Sequence, residues 1–347
     1  MLHWPHRRLA CADGRVLCSS TSVGSNMTQK KNPSTQLALT GTSATRRRKP
    51  RVGLALGSGS ARGWAHIGVI QALHEAGVRP DIVCGTSIGG LVGAAYATGQ
   101  LKQFEEWVLT LGVREVVSFM DLGLNGGMLK GERLMAFFRK NFLDRPIEEL
   151  DMPFGVVATA LHSGAEIWLR SGSTVKAVRA SIALPGLFTP VKHEGMVLVD
   201  GGLVNPVPVS LARAMGAEIV IAVDLSSDLL SRRPHVEVMA QEPASSGVVS
   251  EWMRKLQETF GFASAPEKLD EPLLPSMLDV MATSLNIMQV RITRSRMAGE
   301  PPELVIAPRL AHLGLLDYHR AKEAIEEGRR AVEVGLHSLD LLGLETP

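Results

Sequence analysis

The 347-residue sequence predicts an α/β protein with a mostly parallel sheet sandwiched between helices. Three observations carry this reading. Short apolar runs alternate with stretches of helical periodicity, and two of the junctions between them, residues 57–63 and 85–89, are glycine-rich. Residues 219–223 are apolar without alternation, as in a strand buried on both faces. With 45% hydrophobic and 21% charged residues the chain has ample material for a core, so general disorder is excluded.

Taken in order, residues 1–50 mix Ser, Thr, Asn, Gly and Lys without period and close on Arg46-Arg47-Arg48-Lys49-Pro50, so a disordered basic extension is expected. Arg7 and Arg8 precede an apolar stretch that stops at Asp13, too short for a signal-peptide core, and secretion is not expected. Residues 51–225 form the expected catalytic core. A strand at 52–56 leads through the first glycine-rich loop into a helix marked by Trp64, Ile67, Ile70 and Leu73 and stopped by Gly77. A second strand at 82–84 leads through Gly85-Thr86-Ser87-Ile88-Gly89 into a helix at 88–97.

Residues 82–101 contain no charge and are long enough to span a bilayer. Five glycines and the polar pair Thr86-Ser87 interrupt them, so a buried strand, turn and helix fit better. Helices are expected at 103–111 and 132–141, and strands at 154–161 and 166–170 around a His162-Ser163-Gly164 turn. A helix at 174–182 precedes Pro185-Gly186, a strand at 196–199 runs into Asp200-Gly201-Gly202, and a helix at 208–215 precedes the strand at 219–223.

Residues 226–275, rich in Ser, Pro and Glu, read as an irregular insertion. Residues 276–347 complete the same domain with a long helix at 277–297, a strand at 304–306 and a closing helix at 315–342. Met277, Met281, Met288 and Met297 of the long helix are expected to pack on the core rather than to line an acyl groove or a membrane face.

Net charge is +2, but residues 1–51 carry +9 and the rest −7. The body therefore lacks the basic footprint of a nucleic-acid binder, and no nucleic-acid partner is expected. Cys11, Cys18 and Cys84 are too few for a disulfide framework and form no CxxC pair, which points to a reducing compartment and to no metal.

Three local signals carry chemistry. Gly85-Thr86-Ser87-Ile88-Gly89 is a G-x-S-x-G between a strand and a helix, where a sharp turn lifts the serine clear of the sheet at a helix N-terminus; Ser87 is a candidate nucleophile. Gly57-Ser58-Gly59-Ser60-Ala61-Arg62-Gly63 also joins a strand to a helix, and its backbone N–H groups suit a phosphate or an oxyanion. A dinucleotide site would want tighter glycine spacing and an acid after the next strand, and a P-loop would want Gly-Lys-Ser/Thr; an oxyanion hole beside Ser87 accounts for both loops, since neighbouring parallel strands end on one sheet edge. The third signal is Asp200, carried by an apolar strand straight into Gly201-Gly202, where burial demands a partner for its charge.

Histidine is the rival partner for Ser87. His235, His312, His319 and His337 follow Asp200, but none sits in a strand-end glycine setting, and His66 falls inside the first helix. They are expected to be surface or packing residues.

With Gly53-Leu54-Ala55-Leu56 ahead of the first loop, the G-x-S-x-G and the Asp200-Gly201-Gly202 turn, the chain resembles the patatin-like phospholipases. More narrowly it is similar to their bacterial RssA-type branch, also through Gly131-Glu132-Arg133, Arg179-Ala180-Ser181, Leu184-Pro185-Gly186 and Val204-Asn205-Pro206-Val207-Pro208. The likeness covers residues 51–225 strongly and 276–335 more weakly.

The resemblance implies a three-layer α/β/α patatin-like fold and a Ser-Asp dyad that hydrolyses acyl esters of lipids without metal or cofactor. Ser87 would be the nucleophile and Asp200 its base, with Gly85, Gly89, Gly201 and Gly202 shaping the two turns. The N–H groups of Gly59 and Ser60 would be the oxyanion donors, with Arg62 as a supporting positive group. The family's loop often reads G-G-G-x-R-G, whereas here Ser58 and Ser60 stand at two of those glycines; the donors survive such a change where the local φ is negative. The expected substrate is a phospholipid or lysophospholipid, the expected location cytoplasmic with peripheral contact at the inner membrane face. The alternatives are a nucleotide-binding regulator using the Gly57–Gly63 loop and a non-catalytic interaction protein on the same fold.

Overall fold

The computed structural model describes residues 48–119, 132–141, 144–229 and 277–344. The chain divides into Met1–Arg48 and Lys49–Pro347. All that follows concerns the second unit; the extension expected at 1–50 and the insertion expected at 226–275 lie almost wholly outside the described residues.

Eight strands form one sheet: β1 (Val52–Leu56), β2 (Ile82–Thr86), β3 (Phe154–Ala160), β4 (Glu166–Leu169), β5 (Val191–His193), β6 (Met196–Asp200), β7 (Ile219–Val223) and β8 (Leu304–Ile306). Their order is β5-β6-β3-β2-β1-β7-β8, with β4 paired to β3 off this path. The run β3-β2-β1-β7-β8 is parallel, while β4, β5 and β6 pair antiparallel. The helices are α1 (Ala65–Glu75), α2 (Ile88–Ala97), α3 (Leu101–Leu109), α4 (Val113–Phe119), α5 (Glu132–Asn141), α6 (Thr174–Ser181), α7 (Val209–Ala214), α8 (Met277–Gly299) and α9 (Ala321–Leu341).

The layers follow from the strands' two-residue period. Leu54, Leu56, Val156, Ala158, Ile221 and Val223 join one apolar cluster with α1, α2, α3, α5, α6 and α9. Their neighbours along the same strands, Ala55, Val157, Val220 and Ala222, join another with α7 and the flanking residues Val207 and Ala217. The sheet is thus covered on both faces, which makes it an α/β/α sandwich. Leu54, Ile67, Ile70 and Ile221 are fully buried, and each such side chain stabilises the fold by roughly 1.5–3 kcal/mol.

One departure from strict parallel order builds the site. On one edge of β3 lies β4, and on the other β2 pairs with its first half (Thr86 opposite Val157) while β6 pairs with its second half (Ala158 opposite Asp200). Strands β2 and β6 therefore run toward each other along the same edge and end one β3 residue apart.

Two expectations need correction. The closing helix expected from residue 315 begins only at Ala321, after a 3-10 turn at Tyr318–Arg320. The reason is tertiary: the Leu315 carbonyl accepts from Ala61 N at 3.2 Å and Ser60 Oγ at 2.7 Å, and the Tyr318 carbonyl from Trp64 Nε1 at 3.1 Å, so these acceptors are taken from a helix ladder. The methionines of α8 also behave differently. Met297 packs against the second cluster, but Met281 and Met288 are 48% and 49% exposed, because the face of α8 turned to the body carries Leu285, Gln289 and Val290 instead.

Candidate active site

Ser87 stands between β2 and α2 with φ 55° and ψ −123°. A left-handed backbone at a residue with a Cβ costs about 1–3 kcal/mol and persists only where the surroundings enforce it. Two bonds do so: Ser87 N donates to Ser181 Oγ at 2.8 Å, and Ser181 Oγ donates to the Val157 carbonyl at 2.6 Å. The flanking glycines are demanded by space. A Cβ on Gly85 would strike the backbone of Gly89, and one on Gly89 would strike the carbonyls of Leu56 and Gly57.

The Ser87 hydroxyl donates to Asp200 Oδ2 at 2.6 Å. Asp200 is buried, and its other oxygen, Oδ1, accepts from Gly202 N at 2.7 Å. Its backbone is held as well: Thr159 Oγ1 donates to its carbonyl at 2.7 Å, and its N–H donates to Ala183 O at 3.0 Å. Gly201 opens the 3-10 turn Gly201–Leu203 and packs so closely on the Val157 carbonyl that no Cβ would fit. Burial raises the Asp200 carboxyl to about 6, against the lowering effect of the bonds from Ser87 and Gly202. A carboxylate so placed is a stronger proton acceptor than one in water, and it touches the hydroxyl it could relieve of its proton.

The first glycine-rich loop borders the same space. Gly57 N donates to Val223 O at 3.0 Å, Ser58 N to Pro206 O at 2.8 Å, Ala61 N to Leu315 O at 3.2 Å and Arg62 N to Gly59 O at 3.2 Å. Gly59 N and Ser60 N have no hydrogen-bond partner among the described residues. Ser60 has φ 52°, so the negative φ on which the glycine-to-serine change was made conditional is not met. Arg62 is buried and does not line the cavity; its Nε donates to Leu313 O at 2.9 Å, so it ties the loop to residues 313–318 from behind. Burial lowers its pKa, with Asp228 and Asp317 countering.

An open cavity has Ser87, Asp200, Gly59 and Ser60 in its wall. The rest of the wall is mainly apolar, with Leu91, Trp107, Leu184, Phe188 and Leu285 among the contributors, which suits a hydrocarbon chain. No histidine among the described residues lines it. His312, His319 and His337 are exposed, and His312 pairs with Glu323; His235 lies outside the described residues. His66 is fully buried, its Nε2–H donates to the Gly57 carbonyl at 2.8 Å, and burial lowers its pKa to about 4, so it is a neutral prop for the loop.

Three residues at or behind the cavity wall were not singled out as site residues in the sequence. Ser181 holds the Ser87 turn; Gln289 reaches over from α8 to accept from Ser58 Oγ at 3.3 Å; Tyr318 shares a 2.7 Å hydrogen bond with Ser60. Only Ser181 fell within a quoted motif, Arg179-Ala180-Ser181, and nothing in that string specified its bond to Ser87.

A sandwiched α/β sheet with a serine on a strained strand-to-helix turn, an acid in contact with it and an apolar cavity around both defines a class of hydrolase-like sites. Residues 54–213 match the family model described as patatin-like phospholipase. An uncharacterized NTE family protein of Mycobacterium tuberculosis is 31% identical over 342 residues, spanning 84% of this chain and 93% of that one. Human patatin-like phospholipase domain-containing protein 6 is 39% identical over 184 residues, which is 51% of this chain but 13% of that one. The solved structure of VipD from Legionella pneumophila aligns over 84% of this chain and 67% of that one at 13% identity and a TM-score of 0.42, too distant to bear on the site. The chain belongs to the patatin-like phospholipase family.

Proposed function

We propose that the protein is a serine lipid acyl hydrolase that cleaves carboxylic esters of phospholipids or lysophospholipids through a Ser87–Asp200 dyad and an acyl-enzyme. The single observation that carries this reading is the 2.6 Å hydrogen bond from Ser87 Oγ to Asp200 Oδ2 at the wall of an apolar cavity. Asp200 takes the hydroxyl proton as Ser87 attacks the ester carbonyl, and the carbonyl oxygen becomes a tetrahedral oxyanion. The unpartnered N–H groups of Gly59 and Ser60 receive that charge, each such donor being typically worth roughly 10²- to 10³-fold in rate. Collapse expels the alcohol with the proton from Asp200; water, activated by Asp200 in turn, then releases the fatty acid.

The nucleotide-binding alternative fares worse against the same loop. Of the six N–H groups of residues 57–62, four are spent on carbonyls, leaving those of Gly59 and Ser60, where a phosphate cradle aims a run of successive amides at the ligand. A lipid substrate also implies an interface. No helix among the described residues is long and apolar enough to cross a membrane. Peripheral contact with a membrane surface is supported by α8, which turns Leu285 and Gln289 to the cavity while Val280, Met281, Ile287 and Met288 lie exposed, with exposed Arg291 and Arg294 on the same helix. Apolar side chains flanked by arginines suit a membrane surface with anionic headgroups.

The test is turnover of p-nitrophenyl esters and lysophospholipids by the wild type, Ser87→Ala, Asp200→Ala and single alanine variants of His312, His319 and His337. The expected result is loss of at least about 10³-fold in kcat for the first two variants and retention of most activity in the histidine variants. Absence of turnover across the panel in the wild type would favour a non-catalytic interaction protein on this fold. Loss on a histidine change with the fold intact would favour a triad.

A further inference from the structure

The segment just before α9 is hydrogen-bonded to the first glycine-rich loop and to Trp64. Ser60 occupies the left-handed region at φ 52°, where an L side chain crowds its own backbone and glycine does not. It is also one of the two positions at which this chain has serine where the resembled motif has glycine. Something must hold it there, and the hydrogen bonds identify what does.

Ser60 Oγ lies 2.7 Å from the Leu315 carbonyl and 2.7 Å from the Tyr318 hydroxyl. A carbonyl can only accept, so the single Ser60 hydroxyl proton goes to Leu315, and the Tyr318 hydroxyl must be the donor to Ser60 Oγ. Tyr318 is itself fixed: its carbonyl accepts from Trp64 Nε1, and its ring meets the Trp64 ring edge-on with centroids 5.7 Å apart. Burial raises its pKa against the lowering effect of the Ser60 bond, with the Asp200 charge adding to the rise, so the phenol stays protonated and able to donate at neutral pH.

Resting on the hydrolase reading, we propose that Tyr318 is a positioning residue for the oxyanion loop: its hydroxyl, acting with the Leu315 carbonyl, locks Ser60 in a backbone conformation that glycine would hold unaided, and so aims the Gly59 and Ser60 N–H groups at the developing charge. Its proton is committed to Ser60, so its effect reaches the reaction through the backbone. The side chain that replaced glycine thus brings its own restraint, and the two positions are coupled.

The test is a double-mutant cycle of Tyr318→Phe with Ser60→Gly, read in kcat and KM on a p-nitrophenyl ester and in melting temperature. In the wild-type background, Tyr318→Phe is expected to lower kcat roughly tenfold or more, leave KM within about threefold and lower the melting temperature. In the Ser60→Gly background, whatever the kcat and melting temperature of that variant, Tyr318→Phe should change neither readout. An equal loss from Tyr318→Phe in both backgrounds, or none in the wild type, overturns the proposal. The melting-temperature cycle does not depend on turnover. A wild type that hydrolyses nothing but still shows coupling of Tyr318 to Ser60 refutes the hydrolase reading and leaves the lock standing; active wild type without coupling does the reverse.

Discussion

Ser87 and Asp200 meet at 2.6 Å because two strands running in opposite directions, β2 and β6, end against the same edge of β3. Their separation of 113 positions along the chain is bridged by register: Thr86 faces Val157, and Asp200 faces Ala158. That edge also supplies restraint, since Val157 O anchors Ser181 and Thr159 Oγ1 anchors the Asp200 carbonyl. The pair is held on a rigid strand, the setting in which a direct serine–carboxylate contact can be maintained without an intervening imidazole.

Burial pushes the Asp200 carboxyl up to about 6, and the proposed base must be ionised to act. The expected profile of kcat/KM therefore rises with pH through about 6 and levels above it. The stability linkage has the opposite sense: a carboxyl raised by burial binds its proton more tightly folded than unfolded, so its contribution is fully present below about 3.8 and is lost as pH rises through about 6. Asp200→Asn, which keeps a hydrogen-bonding shape without the buried charge, should abolish turnover yet raise stability at pH 8 by about 1–3 kcal/mol, with a much smaller gain at pH 4. Denaturant melts of both proteins at the two pH values check this; equal stability at pH 8 would mean that the charge carries no burial cost.

Ser181→Ala removes the acceptor of Ser87 N and the donor to Val157 O, leaving two backbone groups without their partners. The expected cost is about 1–3 kcal/mol of stability, with a fall of roughly tenfold in kcat as the strained turn relaxes. Urea unfolding alongside steady-state kinetics reads both, and an unchanged kcat would show that Ser87 needs no such anchor.

The exposed face of α8 makes a separate prediction. Met281→Glu with Met288→Glu should weaken sedimentation with vesicles of phosphatidylcholine and phosphatidylglycerol by roughly tenfold, while turnover of a water-soluble p-nitrophenyl ester stays within about threefold. Vesicle binding that ignores both substitutions would assign membrane contact to another surface.

Much of this arrangement was legible in the amino-acid order. Residues 52–56, 219–223 and 304–306 read as strands because apolar runs of that length between glycine or polar breaks have few other uses, and the G-x-S-x-G and Asp-Gly-Gly strings fall where strands end. Asp200 stands out as an acid at the end of an apolar strand, but its pairing with Ser87 is implied only by the family resemblance; the structure brings the two into hydrogen-bonding contact. What escaped was tertiary. Helical periodicity at 315–320 is genuine, but Ser60 and Trp64 take its carbonyls; β5 is three residues long and lacks a pattern; and the exposure of Met281 depends on which side of α8 the cavity lies. Ser60 offers the clearest case, since its backbone angle is set by Tyr318, more than 250 residues away in sequence.

The most direct test of the central claim is covalent capture of the nucleophile. The wild type and Asp200→Asn are incubated with a fluorophosphonate, and the adduct is located by peptide mass spectrometry. The account predicts a single stoichiometric adduct on Ser87 in the wild type, formed at least about a hundredfold more slowly in Asp200→Asn. Labelling of another residue, or of Ser87 at the same rate without the carboxylate, would contradict it.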